Sequence, residues 1–555
     1  MKYIQRLFCL FLVLISFEII AQTSQPLDRE ISLAGNYGEL RGGRFHAGLD
    51  FRVGGRVGDS IKAFRDGYVY RLSVSSCGYG NGIYLRHKDG SFSIYGHLYK
   101  YASKLQKLVK DEQYRKESFY VDIYLDSLSF PVKRGDVIGY VGNSGSSAAP
   151  HLHFELRDKD NAGPINPIQN AYIKVEDNIP PVFRQIRFYS YEQNNGEVNS
   201  TLIHSFKYGS NKTLILPERS FVAIDAYDRQ DGTTGKLAVS RYSVFLDEEK
   251  IYSYSVQAYQ YKDMRYFNSL ISYPAKVDGC GNMIKSYVEP GNRLVSKIQS
   301  INDGLIVLSD DNEHVVSVVL EDEFANTSVK KFRVKRGDSS EFAQMPFSQS
   351  NYIAWYLPFI YKNDELTFTL PAGSLYNSTY FTIDSLSRGE YSSVWRIHRA
   401  DIPIGGKAFL KLSAKVPTDL VEKAFIAKVS DEGNMCYCGG TYKDAEISAK
   451  ISSFGNYTVA IDTTAPKIVP RFRNENQISR SGQFAFTIKD DLSGIRDFRV
   501  EIDGRWVLAQ YDEKYDKLWV MLDERILRTG SYRDILVSVR DRKNNINTYK
   551  FSIKW

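Results

Sequence analysis

From Asp28 to Asn170 apolar and polar residues alternate over short runs that end in turn residues, the pattern of half-buried strands. Gly67-Tyr68-Val69-Tyr70-Arg71-Leu72 and Ile83-Tyr84-Leu85-Arg86-His87 read as strands, with Lys88-Asp89-Gly90 as a turn between strands. In His151-Leu152-His153-Phe154-Glu155-Leu156 the alternation sends Leu152 and Phe154 to a core and His151, His153 and Glu155 to the opposite face, towards a cleft. One stretch breaks the pattern. Between Lys100 and Asp126, Tyr101, Leu105, Leu108 and Val109 recur at helical spacing, and a charged run from Lys110 to Glu117 follows. The expectation is a helical insertion, about 100–126, that lines one wall of the cleft and narrows substrate choice. A solvated helical elaboration is the alternative.

Beyond residue 175 the chain becomes a succession of strands rich in Tyr, Val, Ile and Phe, divided by Gly, Asn and Asp turns. Two segments read as copies of one module. Each opens at a proline-marked boundary, Asp177-Asn178-Ile179-Pro180-Pro181 or Asp462-Thr463-Thr464-Ala465-Pro466. Each closes in the same register, with Asp322, Asn326 and Phe332 repeated as Asp541, Asn545 and Phe551, which predicts a terminal hairpin. These copies resemble bacterial immunoglobulin-like domains. The stretch between them, closing on Tyr457-Thr458-Val459-Ala460-Ile461, is expected to be a β-sandwich of another type. The predicted fold class is mainly β, an N-terminal antiparallel-sheet domain followed by about three sandwiches. The expected boundaries are 22–175, 176–340, 341–461 and 462–555. The acidic stretches Asp225 to Asp231 and Asp490-Asp491-Leu492-Ser493-Gly494 have the composition of calcium loops, but Asp, Ser and Gly are ordinary turn formers, and that reading is preferred.

Residues 1–21 carry a short basic start (Lys2, Arg6), an apolar run from Leu7 to Ile20 and a small residue, Ala21. This is the layout of a secretory signal cleaved after Ala21. Glu18 interrupts the apolar run, which argues against a membrane anchor, and Cys9 lacks the small residues that precede a lipidated cysteine. No later run is long enough to span a bilayer, so the mature chain is expected to be exported, to the periplasm, cell envelope or medium, with no transmembrane segment. The net charge of +7 on 555 residues is modest and forms no Lys/Arg cluster, which leaves nucleic-acid binding without support. Cys77, Cys280, Cys436 and Cys438 remain after signal removal, too few for a disulfide framework in a chain of this length. Cys436 and Cys438 read as loop cysteines or a local bond rather than a metal hook.

Candidate chemistry is concentrated near the N-terminus. Five of the eight histidines, His46, His87, His97, His151 and His153, lie in the first domain, together with Asp50 in His46-Ala47-Gly48-Leu49-Asp50. Neutral imidazoles plus one carboxylate suit zinc, and three protein ligands leave a fourth position for water, the catalytic rather than the structural arrangement. Gly48 is expected to free the backbone so that His46 and Asp50 converge. His87, on a strand before a turn, is expected to be packed or hydrogen-bonded, and His204, His314 and His398 to be ordinary surface or packing residues.

His46-x-x-x-Asp50, Tyr95-Gly96-His97-Leu98 and Pro150-His151-Leu152-His153-Phe154-Glu155 resemble the lysostaphin/LytM-type zinc endopeptidases, as do the connectors Gly78-Tyr79-Gly80-Asn81-Gly82 and Val132 to Gly145. The resemblance covers roughly residues 28–170. It implies that His46, Asp50 and His153 are ligands of one zinc ion, and that His97 and His151 are unligated catalytic histidines, with His151 favoured as general base. One departure is Ser146-Ser147-Ala148-Ala149-Pro150, where the family usually ends a small-residue run in Gly-Pro. A small change of cleft shape is expected, with no loss of metal. The implied function is hydrolysis of peptide bonds in peptidoglycan stem peptides or cross-bridges, the sandwiches positioning the enzyme or binding a protein or glycan partner. Two alternatives stand beside it: a non-catalytic adaptor that activates other wall hydrolases, and a secreted protease with a protein substrate.

Overall fold

In the computed structural model the described residues are 23–555 apart from 160–162, 171, 195, 208, 257, 295, 339–350 and 527–528. The expected signal segment therefore lies outside the described residues. No described helix is long and apolar enough to cross a membrane.

The chain is mainly β throughout. Its first sheet is antiparallel and runs in the order Leu33–Gly35, Leu49–Arg52, His151–Arg157, Phe92–Gly96, Gly82–His87, Gly67–Val74 and Val121–Tyr124. The strand His151–Arg157 lies inside it, so both of its edges are paired. On one face Phe154 meets Phe51, Phe64 and Tyr95 at ring-centroid distances of 5.8, 5.4 and 5.5 Å. These rings are the core that holds the strand in place, since large aromatic side chains dominate burial in a sheet of this size. The other face carries His153 and Glu155, both buried. Register then decides the site: His153 is paired with Asp50 on one side and with Gly96 on the other.

The expected helix is present as Ser103–Lys116, and it is followed by the edge strand Val121–Tyr124. Its expected position is not borne out. None of the residues lining the cleft comes from 100–126. The helix is instead covered by the last sandwich: Tyr114 meets Trp506 edge-on at 5.1 Å, Arg525 lies over the Tyr114 ring at 4.2 Å, and Glu117 pairs with Arg499 at 2.7 Å. Lys110 also pairs with Asp523. The charged run that looked solvated supplies the polar rim of this contact.

The remaining strands form facing sheets. Val182–Ser190 and Arg219–Tyr227 lie in one sheet and Glu313–Glu321 and Thr327–Arg336 in another, joined through Phe188 and Phe332 at 5.2 Å. Two five-stranded sheets follow, one centred on Pro403–Ser413 and the other containing Gly455–Ile461. Two four-stranded sheets close the chain, with Phe486 and Phe551 in contact between them. Both repeated Asp–Asn registers sit in hairpins, Glu313–Glu321 with Thr327–Arg336 and Tyr532–Asp541 with Ile546–Lys554. Cys77, Cys280, Cys436 and Cys438 are all unpaired thiols, so the local bond considered for Cys436 and Cys438 is not formed.

Candidate metal centre

His46 and Asp50 flank the entry to the strand Leu49–Arg52, and the paired strand brings His153 opposite Asp50. The expectation for Gly48 needs correction. It is not among the glycines with positive φ. A Cβ there would stand 2.2 Å from the Phe154 carbonyl oxygen, so glycine is required for close approach of the two strands.

The polar atoms converge tightly. His46 Nε2 lies 3.1 Å from Asp50 Oδ1 and 3.1 Å from His153 Nδ1, which is itself 3.0 Å from Asp50 Oδ1. Ligands about 2.1 Å from a tetrahedral ion stand roughly 3.4 Å apart, so this is the spacing of three ligand atoms around one metal. The far sides of the rings are tied down. His46 Nδ1 donates to the Asn36 carbonyl at 2.8 Å, leaving Nε2 as the lone-pair atom, while His153 Nε2 faces Glu155 at 3.5 Å. Carboxylate or carbonyl partners on the outer nitrogens are what orient metal-ligating imidazoles. The three residues could hold a metal ion.

His97 and His151 complete the floor, their rings 4.7 Å apart. His97 turns Nδ1 to the Ser144 carbonyl at 2.8 Å, and His151 turns Nδ1 to the Ala149 carbonyl at 2.8 Å. Each ring therefore presents Nε2 to the cleft, and that of His151 is 3.4 Å from Asp50 Oδ1. His97 follows its strand with a φ of +64°, a left-handed conformation that a non-glycine residue adopts at some cost, and functional sites are where such strain is kept. Neither Ala148 nor Ala149 has positive φ, so alanine in place of glycine before Pro150 carries no backbone strain. His87 lies elsewhere, bonded to the Asp66 carbonyl and to Ser93 as expected for a packed histidine.

Electrostatics favour a cation. Burial alone would raise the Asp50 pKa, but His46, His151 and His153 override it and hold the carboxylate well below its usual range. Burial lowers His46, and burial with His151 and His153 nearby lowers His97 to about 3. His153 goes the other way: burial opposes its charge, yet bonds to Asp50 and Glu155 lift it to about 9. The site thus draws a positive charge between two carboxylates, a place a divalent ion would fill with release of the proton.

Sequence reasoning assigned no role to Glu155, although H-x-H-x-E places it on the face of both histidines. It is fully buried and accepts from Tyr79 Oη at 2.5 Å, Arg157 Nε at 2.5 Å and Tyr261 Oη at 3.0 Å. Tyr261 belongs to the following sandwich, and no local signal marked it. Arg41, bonded to the outer oxygen of Asp50 at 2.6 Å, was also missed. The cleft above these groups has a volume of about 910 Å³, and Tyr261 and Met264 help to line it.

The antiparallel sheet thus brings together two histidines and an aspartate in ligand geometry, with two further imidazoles beside them, the five residues singled out by the resemblance to the lysostaphin/LytM type. Residues 44–114 and 128–167 match Peptidase family M23, so the N-terminal region is an M23 domain, from a family of peptidoglycan hydrolases and related activators. Residues 350–462 match a Zu5-like domain, which overlaps all but the first nine residues of the stretch 341–461 expected to be a sandwich of another type. Over 128 residues the chain is 30% identical to the DD-carboxypeptidase/endopeptidase Mpg of Neisseria meningitidis serogroup B, which covers 23% of this chain and 23% of that protein. It is 31% identical over 134 residues to the murein hydrolase activator NlpD of Salmonella dublin, covering 24% of this chain and 28% of that protein. Against the catalytic domain of lysostaphin from Staphylococcus simulans the identity is 29%, with 25% of this chain and 86% of that one covered and a TM-score of 0.18. The chain spans about a quarter of the length of these curated relatives.

Proposed function

We propose that the protein is an exported zinc endopeptidase that hydrolyses peptide bonds in peptidoglycan stem peptides or cross-bridges. The observation that carries this reading is the convergence of His46 Nε2, Asp50 Oδ1 and His153 Nδ1 to within 3.1 Å of one another on the floor of an open cleft, beside two imidazoles whose Nδ1 atoms are held by backbone carbonyls. His46, Asp50 and His153 would hold a zinc ion, which would supply Lewis acidity towards a peptide carbonyl and lower the pKa of water to near neutral.

The other work falls to the chain's own residues. His151, with Nδ1–H committed to the Ala149 carbonyl, accepts a proton at Nε2 from the attacking water. Having taken it, His151 is a donor at the same atom and can pass the proton to the leaving amine. His97, held by the Ser144 carbonyl and by its backbone N–H to the Tyr79 carbonyl at 2.7 Å, stabilises the developing oxyanion or helps to protonate the leaving amine. Glu155, fixed by Tyr79, Tyr261 and Arg157, keeps the His153 ring turned with Nδ1 inward. The sandwiches over 176–340, 341–461 and 462–555 position this site, and they offer surface to a protein or glycan partner.

The test is zinc content of the purified mature protein, together with digestion of purified sacculi by wild type and His153→Ala. One zinc per chain and new peptide ends from wild type alone are expected. The similarity to a murein hydrolase activator supports a second reading, an adaptor, and zinc-free protein without cleavage would decide for it. Zinc without wall cleavage, but with cleavage of a protein substrate, would decide for a secreted protease.

A further inference from the structure

Outside the cleft, two groups of three aspartates occupy equivalent places in the two repeated sandwiches. Asp177, Asp228 and Asp322 form one, and Asp462, Asp490 and Asp541 the other, with one carboxylate oxygen from each residue within 4.8 Å of the others. The scaffolding is the same in both. Asn326 Nδ2 donates to the Asp177 carbonyl at 3.1 Å and to Asp322 Oδ2 at 2.8 Å, and Asn545 Nδ2 donates to the Asp462 carbonyl at 2.9 Å and to Asp541 Oδ2 at 2.6 Å.

The two groups differ in how their charge is met. In the second, Asp490 accepts from the backbone N–H groups of Leu492 at 3.1 Å and Gly494 at 2.7 Å, and Asp462 accepts from that of Ser493 at 3.1 Å. Lys543, itself buried, adds a positive charge felt by Asp462 and Asp541. Through these bonds Asp490 closes its own turn. In the first group the position of Lys543 is taken by Phe324, two residues after Asp322 as Lys543 is two after Asp541. Asp228 is 4% exposed, and its Oδ1 is buried without a hydrogen-bond partner among the described residues. Burial raises the Asp228 pKa to about 8, and the charges acting on it, Asp322, Asp177 and Glu323, push the same way against a hydrogen bond from the Arg229 backbone. A buried oxygen left bare among like charges is costly unless a cation joins them.

We propose that Asp177, Asp228 and Asp322 form a binding site for a hard divalent cation, calcium foremost, that the second sandwich replaces with Lys543 and backbone amides. The donors are all oxygen, which selects calcium or magnesium over zinc. Calcium takes protein carboxylates in flexible, irregular sets, whereas magnesium demands near-octahedral geometry and keeps several waters, so a cluster of three protein carboxylates suits calcium better. The site lies at the junction of the peptidase domain and the first sandwich. Asp177 is in the connecting segment, and Gln230, two residues beyond Asp228, bonds to the Leu33 N–H at 2.8 Å and the Ile31 carbonyl at 3.0 Å. Leu33 begins the strand that pairs with the Asp50 strand, so the cation would brace one wall of the cleft.

The experiment is calcium titration calorimetry with thermal unfolding on the zinc-loaded mature chain, comparing wild type, Asp228→Asn, Phe324→Lys and Asp490→Asn. Wild type is expected to bind one calcium, with Kd at or below about 1 mM, and to unfold at higher temperature with calcium than without. Asp228→Asn and Phe324→Lys should lose at least about tenfold in affinity, with calcium-free melting no lower than wild type because each removes like-charge repulsion. Asp490→Asn should bind as wild type does. Absence of calcium binding by wild type, wild-type affinity in both Asp228→Asn and Phe324→Lys, or loss of binding in Asp490→Asn would overturn the proposal. Should Asp228→Asn fail to fold, Phe324→Lys decides it. Tighter binding of magnesium than of calcium would overturn the assignment to calcium.

Discussion

Glu155 offers the sharpest test of how the centre is held, because its donors come from two different domains. Tyr79 Oη lies 2.5 Å from one oxygen, and Tyr261 Oη lies 3.0 Å from the other. Replacing either by phenylalanine removes one hydrogen bond to a buried carboxylate and leaves the ring in place. Such a bond to a charged group is worth about 1.5–3 kcal/mol. Tyr79→Phe should therefore cost about 2 kcal/mol in the orientation of His153, which at 1.4 kcal/mol per decade is roughly 30-fold in zinc affinity. Tyr261 is 40% exposed, so water can take over its bond, and Tyr261→Phe should cost about 1 kcal/mol, roughly fivefold. The assay is competition for zinc with a chromophoric chelator, run beside sacculus digestion. Affinities equal to or tighter than wild type in both variants would refute the idea that Glu155 and its donors hold the ligand ring.

Gly48→Ala should separate the strands on either side of the metal centre, because its Cβ would fall 2.2 Å from the Phe154 carbonyl. A loss of about 3 kcal/mol in thermal or denaturant unfolding is expected, and a variant with unchanged stability would contradict the close-approach argument. Phe498→Ala combined with Trp506→Ala should uncouple the last sandwich from the helix Ser103–Lys116, since these rings meet Phe119 at 6.2 Å and Tyr114 at 5.1 Å. Calorimetry should then show an additional, earlier transition, and trypsin should cut after the lysines of the helix; an unaltered single profile would speak against the docking. Burial, reinforced by Arg399, lowers the pKa of His398 to about 4, whereas the unfolded chain has the ordinary value near 6.5. Below that ordinary value the unfolded state binds a proton that the folded state refuses, so stability falls as pH drops from about 6.5 to about 4, by up to about 3 kcal/mol. His398→Asn, which tolerates the local φ of +57°, should flatten that dependence, and NMR titration of His398 near pH 6.5 would disprove the assignment.

What the amino-acid sequence determined by itself was whatever depends on neighbours a few residues apart. Period-two alternation in His151 to Leu156 set His151, His153 and Glu155 on one face, because a strand sends successive side chains to opposite sides. The recurrence of Asp, Asn and Phe at one spacing identified the two hairpins for the same reason. Register and long-range docking were decided only by the tertiary structure. Tyr261 meets Glu155 across 106 residues, and nothing near either one marks the pair. The helix after Lys100 showed its apolar stripe, but a stripe says that a face is covered and not by what; the partner proved to be a sandwich nearly four hundred residues away, as the Glu117–Arg499 bond shows with its separation of 382. The carboxylates Asp177, Asp228 and Asp322 likewise stand on three separated segments, each an ordinary turn residue when taken alone. A turn former and a buried ligand have the same side chain, and only packing, which decides whether water or another charge reaches that oxygen, tells them apart.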